Sequence, residues 1–316
     1  MSQETPPAAS PLFSRIRAYF AAHSFARRCV STFSLFLLLF LVIYFGGIYG
    51  AVALITLVSS LALYEFYKLT QHFGGQPRTV LGVVLGTALV PFFFYATSRP
   101  SNEVDTQGAI PLMLAFSALV FLFGIFLMIK KSVPAVAKGL ATLWGLLYIP
   151  FTVGFYAILA GLYGMNGVLL CVWIVLAAKF TDIGGLLGGM FFGKHKLAPN
   201  VSPKKTWEGV VGGLILSAAG SAALIWAFRH FGAWDELSVL WLGKLSMFTP
   251  GVAAIYALPI AAVSIVSDLI ESIIKRLAGN KDSGATIPGI GGALDLLDSL
   301  IFVAPVGFLI VEYALS

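Results

Sequence analysis

Five carboxylates and three basic side chains fall between Ser267 and Ser299, in a chain that is only 11% charged and 59% hydrophobic. An ionised side chain at membrane depth costs roughly 2.5 to 3.5 kcal/mol, so such groups persist mainly where they face one another, a cation or a polar substrate. This concentration of acids and bases therefore predicts a site for chemistry.

Part of this segment has helical spacing. Four polar residues recur at steps of four, three and four, and so share one helix face: Ser264, Asp268, Glu271 and Lys275. Asp295 and Asp298 lie three apart near the start of a later helix and also share a face. Acids that converge from two helices suit a divalent cation, since Mg²⁺ usually takes one or two carboxylates plus phosphate oxygens.

The combination of acids and lysines favours phosphoryl or nucleotidyl transfer, in which cations and basic groups offset the charge on the transferring phosphorus. A buried network of ion pairs, for example Asp268 with Lys275, is the alternative. Five acids near one loop are more than a structural clamp needs, so the catalytic interpretation is preferred.

A second polar stretch runs from Lys179 to Gly213. An acid, Asp182, is followed by glycines, a basic loop at 194–196 and a Ser-Pro-Lys-Lys-Thr turn at 202–206 that opens the next helix. A helix N-terminus favours negative charge and lysines supply point charges, so this order predicts phosphate binding. An ordinary basic cytoplasmic loop is the alternative.

The elements that position these stretches are apolar segments long enough to cross about 30 Å of hydrocarbon. The sequence contains nine: 30–46, 48–66, 80–97, 109–129, 139–160, 164–180, 209–230, 251–274 and 297–315. They predict an all-α polytopic membrane protein with about nine transmembrane helices.

Topology follows from the basic residues, which accumulate on the cytoplasmic side. With the N-terminus inside and the C-terminus outside, only Arg99, Arg229 and Lys244 of the 20 Lys and Arg residues fall outside. Both polar stretches then face the cytoplasm, where nucleotides are available. The net charge of +6 is thus a signal of topology and of anionic lipid, and it predicts no nucleic-acid partner.

The predicted organisation is a cytoplasmic tail at 1–28, which is either an interfacial helix or a flexible basic segment, and a single transmembrane domain at 29–316. Within that domain, 29–160 is expected to be mainly scaffold and 161–316 the catalytic half. Glu65 is the one intramembrane acid of the front half, and it is expected to pair with Lys68, one helical turn further on.

The back half resembles the phosphatidate cytidylyltransferases, also called CDP-diacylglycerol synthases. A Gly-Lys-His-Lys-Leu-Ala-Pro run at 193–199 and Ser-Pro-Lys-Lys-Thr at 202–206 are similar to one family motif. The C-terminal signature of the family is matched at eleven positions: Ser272, Lys275, Arg276, Lys281, Asp282, Gly284, Ile287, Gly291, Gly292, Asp295 and Asp298.

The resemblance implies a membrane-embedded nucleotidyltransferase that moves CMP from CTP to phosphatidate, giving CDP-diacylglycerol and pyrophosphate with Mg²⁺, and with K⁺ as an optional second cation. It implies the cell (inner) membrane, an active site facing the cytoplasm, and an anionic lipid as partner; a homodimer stays open. Asp268 and Asp295 are implied as metal ligands, and Asp282, Asp298 and Lys281 as catalytic residues. The implied substrate and phosphate ligands are Lys194, Ser202, Lys204, Lys205, Thr206, Ser272, Lys275 and Arg276.

Two positions depart from the signature, with Ile290 in place of a histidine and Leu296 in place of an arginine. A guanidinium fork for phosphate is lost at Leu296. The alternatives are therefore a different CTP-using lipid enzyme, such as a polyprenol kinase, and a catalytically impaired paralogue that binds lipid or nucleotide.

Overall fold

The computed structural model describes residues 24–72, 74–98, 133–230, 249–284, 286–287 and 291–315. The described chain is mostly helical. Its helices are α1 (Ser24–His72), α2 (Thr79–Thr97), α3 (Val133–Leu146), α4 (Thr152–Phe192), α5 (Trp207–His230), α6 (Pro250–Leu277), α7 (Ala293–Leu297) and α8 (Val303–Leu315), with a π-helical turn at Leu147–Phe151 between α3 and α4.

Five stretches of the described chain are helical, long and apolar enough to cross a membrane. They are Leu37–His72, Thr79–Thr97, Val136–Phe192, Trp207–Ala227 and Pro250–Leu277. A shorter apolar helix follows at Val303–Ala314. These findings confirm the prediction of a helical, polytopic membrane protein.

Two of the long helices are each divided by one glycine with a positive φ angle. Gly47 has φ 54° and ψ −140°, and Gly164 has φ 61° and ψ −137°. The chain doubles back at Gly164, since Cys171 Sγ donates to Tyr156 O at 3.4 Å, although a straight helix would separate residues so far apart in sequence by about 20 Å. At the Gly47 corner the two segments also approach each other, since a Cβ added at Gly50 would overlap Val42 O. Each glycine therefore marks a corner between two helical segments, close to where the sequence predicted a boundary between spans.

The backbone conformation of Gly47 leads to a prediction about the stability of the protein. Gly47→Ala is expected to lower the free energy of unfolding by about 1 to 3 kcal/mol, because residues with a side chain rarely adopt this backbone conformation. Gly46→Ala is the matched control, since nothing lies within 4 Å of the added Cβ. Thermal unfolding in detergent measures both variants, and equal midpoints would contradict the assignment of the corner to Gly47.

Other boundaries differ from the prediction. The span predicted at 164–180 is part of helix α4, which continues to Phe192, so Asp182 lies inside a helix and not at its end. The Ser-Pro-Lys-Lys-Thr segment is not a turn: Ser202–Thr206 forms strand β2, which pairs antiparallel with β1 (Lys196–Ala198). The predicted span at 297–315 begins with turns before α8. The predicted span at 109–129 and the tail at 1–23 lie outside the described residues.

One apolar core joins the front and back halves. Its fully buried members include Phe66 and Tyr67 of α1, Trp173 of α4, Ile260 of α6 and Leu294 of α7. Helices α4 and α5 approach until their backbones touch: a Cβ at Gly184 or Gly188 of α4 would overlap the backbone of α5. The β-hairpin joins α4 to α5, and Arg276 near the end of α6 donates to Val201 O of the hairpin at 3.3 Å.

Candidate active site

The polar stripe of α6 faces the protein interior, as its spacing predicted. Ser264 and Glu271 are completely buried and Lys275 is 9% exposed. Asp268 is half-buried. Burial of so many polar groups on one face requires partners or ligands there, because an unpaired buried charge is strongly unfavourable.

Three carboxylates converge at this face. Oxygen atoms of Asp268, Glu271 and Asp298 all lie within 4.8 Å of one another. The first two come from α6, whereas Asp298 follows α7, so the loop between these helices brings them together. We refer to these three residues as the acidic cluster.

Lysines from three elements surround the acidic cluster. Lys205 Nζ of β2 lies 2.6 Å from Asp268 Oδ2. Lys275 Nζ lies 2.5 Å from Glu271 Oε2 and 2.8 Å from Asp295 Oδ1. Lys179 Nζ of α4 lies 4.0 Å from Asp298 Oδ1 and 3.2 Å from Asp182 Oδ2.

The charges of this region do not balance. Five carboxylates face three lysines, which leaves two negative charges when all are ionised; the carboxylates are Asp182, Asp268, Glu271, Asp295 and Asp298. Neither oxygen of the buried Glu271 accepts a well-directed hydrogen bond from the described residues, although Lys275 is close. Oxygen ligands with surplus negative charge fit a hard divalent cation.

Asp295 lies beside the acidic cluster and not within it. Its Oδ1 accepts from Lys275 Nζ, and its Oδ2 accepts from Gly292 N at 2.8 Å, Ser283 N at 3.0 Å and Ser283 Oγ at 2.9 Å. Burial opposes ionisation, but the hydrogen bonds from Lys275 and Gly292 outweigh it, so the pKa of Asp295 is lowered. Asp295 as a metal ligand stays a prediction, and Glu271 and Asp298 are the acids found next to Asp268.

The β-hairpin carries four of the predicted phosphate ligands. Lys204 is exposed on β2, while Lys205 turns towards Asp268. Thr206 is buried, and its Oγ1 accepts from Gly209 N at 3.1 Å, which caps the N-terminus of α5. Ser202 is half-buried on the same strand, and Lys194 is exposed just before the hairpin.

The remaining predicted residues lie around the end of α6. Ser272 Oγ is 3.4 Å from Asp268 Oδ1, close to the acidic cluster. Arg276 ties the helix to the hairpin, because its Nε donates to Val201 O at 3.3 Å. Lys281 and Asp282 are exposed in the following loop.

Several residues at the site were not predicted as ligands. Tyr148, on the π-helical turn, is 4% exposed, and its hydroxyl has no hydrogen-bond partner among the described residues. The charges of three carboxylates act on that hydroxyl, those of Glu271, Asp298 and Asp268. π-Helical turns often occur at functional sites, and Pro150 within this turn is the sequence signal that could have indicated an irregular helix here.

The partners of Glu65 also differ from the prediction. It does not pair with Lys68, whose Nζ lies over the Tyr64 ring at 4.5 Å from the centroid. Glu65 instead accepts hydrogen bonds from the loop before α7. Of the two departures from the signature, Leu296 is half-buried in α7 next to Asp295, and Ile290 lies outside the described residues.

Comparisons with known proteins agree with this architecture. A family model described as the cytidylyltransferase family matches residues 26–314. A phosphatidate cytidylyltransferase of Haemophilus influenzae is 32% identical over 281 residues, covering 85% of this chain and 90% of that protein. Proteins of the same name from Helicobacter pylori and Pseudomonas aeruginosa are 37% and 38% identical, and the matches cover 50% and 46% of their lengths.

The match extends through the front helices as well as the acidic and basic segments, which defines the chain as a membrane-embedded nucleotidyltransferase. It belongs to the cytidylyltransferase family. The family assignment that the signature residues predicted is thereby confirmed.

Proposed function

We propose that this protein transfers the CMP group of CTP to phosphatidate, giving CDP-diacylglycerol and pyrophosphate for phospholipid biosynthesis. The observation that carries the proposal is the acidic cluster, which together with Asp182 and Asp295 exceeds the three neighbouring lysines by two negative charges when all are ionised. The relatives named phosphatidate cytidylyltransferase support the choice of substrates.

In this reaction, a phosphate oxygen of phosphatidate attacks the α-phosphorus of CTP. One P–O bond forms, the bond to the β-phosphate oxygen breaks, and its electron pair leaves with pyrophosphate. The attacking phosphate is already anionic at neutral pH, so orientation and charge compensation matter more than removal of a proton.

We propose Mg²⁺ as the cation, held by Asp268, Glu271 and Asp298, with K⁺ as an optional second cation. When bound, it would offset negative charge on the phosphate oxygens. Asp295 is proposed to join the site when Lys275 turns from its Oδ1 towards a substrate phosphate. This exchange would break the 2.8 Å ion pair between Lys275 Nζ and Asp295 Oδ1 and free that oxygen for the cation.

The basic residues are proposed to bind the triphosphate and the lipid phosphate. Lys205 and Lys275 already point at the acidic cluster. Exposed Lys281 and Asp282 would complete the site from the loop. The other proposed phosphate ligands are Lys194, Ser202, Lys204, Thr206, Ser272 and Arg276.

We further propose nine membrane spans, with the N-terminus and the active site on the cytoplasmic side of the cell (inner) membrane. The bias of basic residues supports this orientation. The division into a tail at 1–28, a scaffold at 29–160 and a catalytic half at 161–316 also stays a proposal, with Glu65 and Tyr148 as contributors from the scaffold. A homodimer is compatible with it.

The proposal is tested with purified protein in detergent micelles, radiolabelled CTP, phosphatidate and Mg²⁺. Radiolabel should enter the lipid extract, one pyrophosphate should form per labelled lipid, and chelation of Mg²⁺ should stop both. Pyrophosphate without labelled lipid, or labelling of a polyprenol instead of phosphatidate, would overturn the choice of lipid. CTP binding with no turnover would favour the impaired paralogue.

Tyr148 offers a separate test of the site. Tyr148→Phe is expected to leave the thermal midpoint unchanged or slightly higher, because the hydroxyl that is removed has no partner among the described residues. We expect kcat/KM to fall about tenfold, because the variant would lose one hydrogen bond to the substrate and a single hydrogen bond corresponds to about that factor in rate. Tyr156→Phe is the control, since its hydroxyl contacts Leu300 O at 3.4 Å in the core. Unchanged kcat/KM in Tyr148→Phe would remove Tyr148 from the site.

A further inference from the structure

We propose that Glu65 is a positioning residue of the active site: it holds Ser283 and Thr286, which precede α7, and Leu294 in the first turn of α7, and thereby sets the positions of Asp295 and Asp298. This inference rests on the proposed function. It assigns a role in the reaction to a carboxylate from the first described helix, far in sequence from the acidic cluster.

Glu65 is 4% exposed and binds the loop through both carboxylate oxygens. Its Oε2 accepts from Leu294 N at 2.9 Å and lies 3.1 Å from Ser283 Oγ, whose single proton is shared with Asp295 Oδ2. Its Oε1 accepts a short hydrogen bond from Thr286 Oγ1. A single side chain therefore connects α1 with Ser283 and Thr286, which precede α7, and with Leu294 in the first turn of α7.

These partners are neutral, which distinguishes Glu65 from the acids of the cluster. The ion pairs of the described residues include Asp268, Glu271 and Asp295 but not Glu65. Hydrogen bonds to a charged acceptor are roughly twice as strong as neutral ones, so a buried carboxylate is an effective anchor for hydroxyl and amide donors. Loss of the carboxylate would leave the buried N–H of Leu294 without its acceptor.

Two glycines, Gly284 and Gly292, lie directly against this carboxylate. A Cβ added at Gly284 would lie 2.5 Å from Glu65 Oε1, and one added at Gly292 would overlap Glu65 Oε2. Both glycines thus allow the loop backbone to approach Glu65. The contact is specific to this side chain and is not a general packing of apolar surfaces.

Ser283 links Glu65 to the site. Its Oγ lies 2.9 Å from Asp295 Oδ2 as well as 3.1 Å from Glu65 Oε2. Asp295 Oδ1 in turn binds Lys275, which also lies against Glu271 of the acidic cluster. Leu294 N is bound by Glu65, and Asp298 follows four residues later, so movement of this segment would displace two acids together.

Glu65 variants test the inference through the cation. Glu65→Ala is expected to raise the Mg²⁺ concentration for half-maximal activity, or to lower kcat, by about 10- to 100-fold, the usual effect of losing a group that orients ligands. Glu65→Gln should restore part of the loss, because its amide oxygen can still accept from Leu294 N while its NH₂ donates to Thr286. Lys68→Met is the control, since Lys68 lies on the same helix over Tyr64.

Hydrogen exchange gives a readout that does not require turnover. In Glu65→Ala, amides of 283–294 should exchange faster while those of α4 and α5 stay as in the wild-type protein. If wild-type protein fails to use CTP and phosphatidate, the proposed function is wrong, and the exchange result still decides the role of Glu65.

Two outcomes overturn the inference. One is a Glu65→Ala protein with wild-type Mg²⁺ dependence and wild-type exchange in 283–294. The other is faster exchange throughout the molecule with an unchanged Mg²⁺ requirement, which would show general destabilisation. If Glu65→Ala does not fold, Thr286→Val and Ser283→Ala remove two of the donors singly, and unchanged Mg²⁺ dependence in both would equally contradict the inference.

Discussion

Asp268→Asn and Asp298→Asn are each expected to reduce CTP-dependent labelling of phosphatidate about a thousandfold. Each change removes a charge from the acidic cluster while keeping the size of the side chain. A cation in such a site contributes several kcal/mol to transition-state stabilisation, and about 4 kcal/mol corresponds to a factor of 10³ in rate. Mg²⁺ affinity should fall in parallel, which is measured from the Mg²⁺ dependence of the initial rate.

Asp295→Asn tests whether Asp295 binds the cation or whether the acidic cluster binds it alone. Because Asp295 is bound to Lys275, its replacement should weaken Mg²⁺ binding mainly when CTP is present to draw that lysine away. Glu312→Gln is the control: Glu312 accepts from Tyr163 Oη at 2.6 Å, and glutamine retains that acceptor. Unchanged Mg²⁺ affinity in Asp268→Asn and Asp298→Asn would exclude the acidic cluster as the cation site.

Lys275→Met is expected to affect both stability and activity. It leaves Glu271, which is completely buried, and Asp295 without their shared cation, and breaking a buried ion pair in this way costs about 3 to 5 kcal/mol of unfolding free energy. Turnover should become undetectable, since the same lysine is proposed to bind phosphate. The thermal midpoint in detergent measures the first effect, and added Mg²⁺ should recover part of the loss by compensating the two carboxylates.

Lys205→Met is the matched stability control. Lys205 Nζ is buried, but the side chains of Lys205 and Asp268 are 23% and 25% exposed, against 11% and 0% for Lys275 and Glu271, so the loss of Lys205 should cost less than the loss of Lys275. Equal destabilisation by the two variants would contradict the different burial of the two lysines. A Lys275→Met protein as stable as the wild type would show that its carboxylates are protonated or otherwise compensated.

Local patterns in the sequence were sufficient to predict a helical, polytopic membrane protein. The segment at 80–97 was predicted within one residue of Thr79–Thr97, because the composition of an isolated apolar run determines whether it can enter a bilayer. The hairpin at 202–206 was mistaken for a turn, since two short strands are stabilised by pairing with each other and not by their own composition.

The residues of the candidate active site were also predicted only in part. The helical periodicity of Ser264, Asp268, Glu271 and Lys275 was enough to predict a buried polar face, and the acids of this region were enough to predict a group of carboxylates that could hold a cation. Periodicity reports only which residues of one helix share a face. It does not tell which acids of two helices meet, and the structure groups Asp298 rather than Asp295 with Asp268.

The sequence by itself thus determined a polytopic helical protein, its family and the segments that carry its polar chemistry, because hydropathy, charge bias and motifs are local properties. Only the tertiary structure decided the partner of each charge. Glu65 has a lysine one turn away along its own helix, yet it bonds Ser283 and Leu294, more than 200 residues further on. Such pairings depend on how distant helices pack, and a buried carboxylate binds the donors that packing brings within reach.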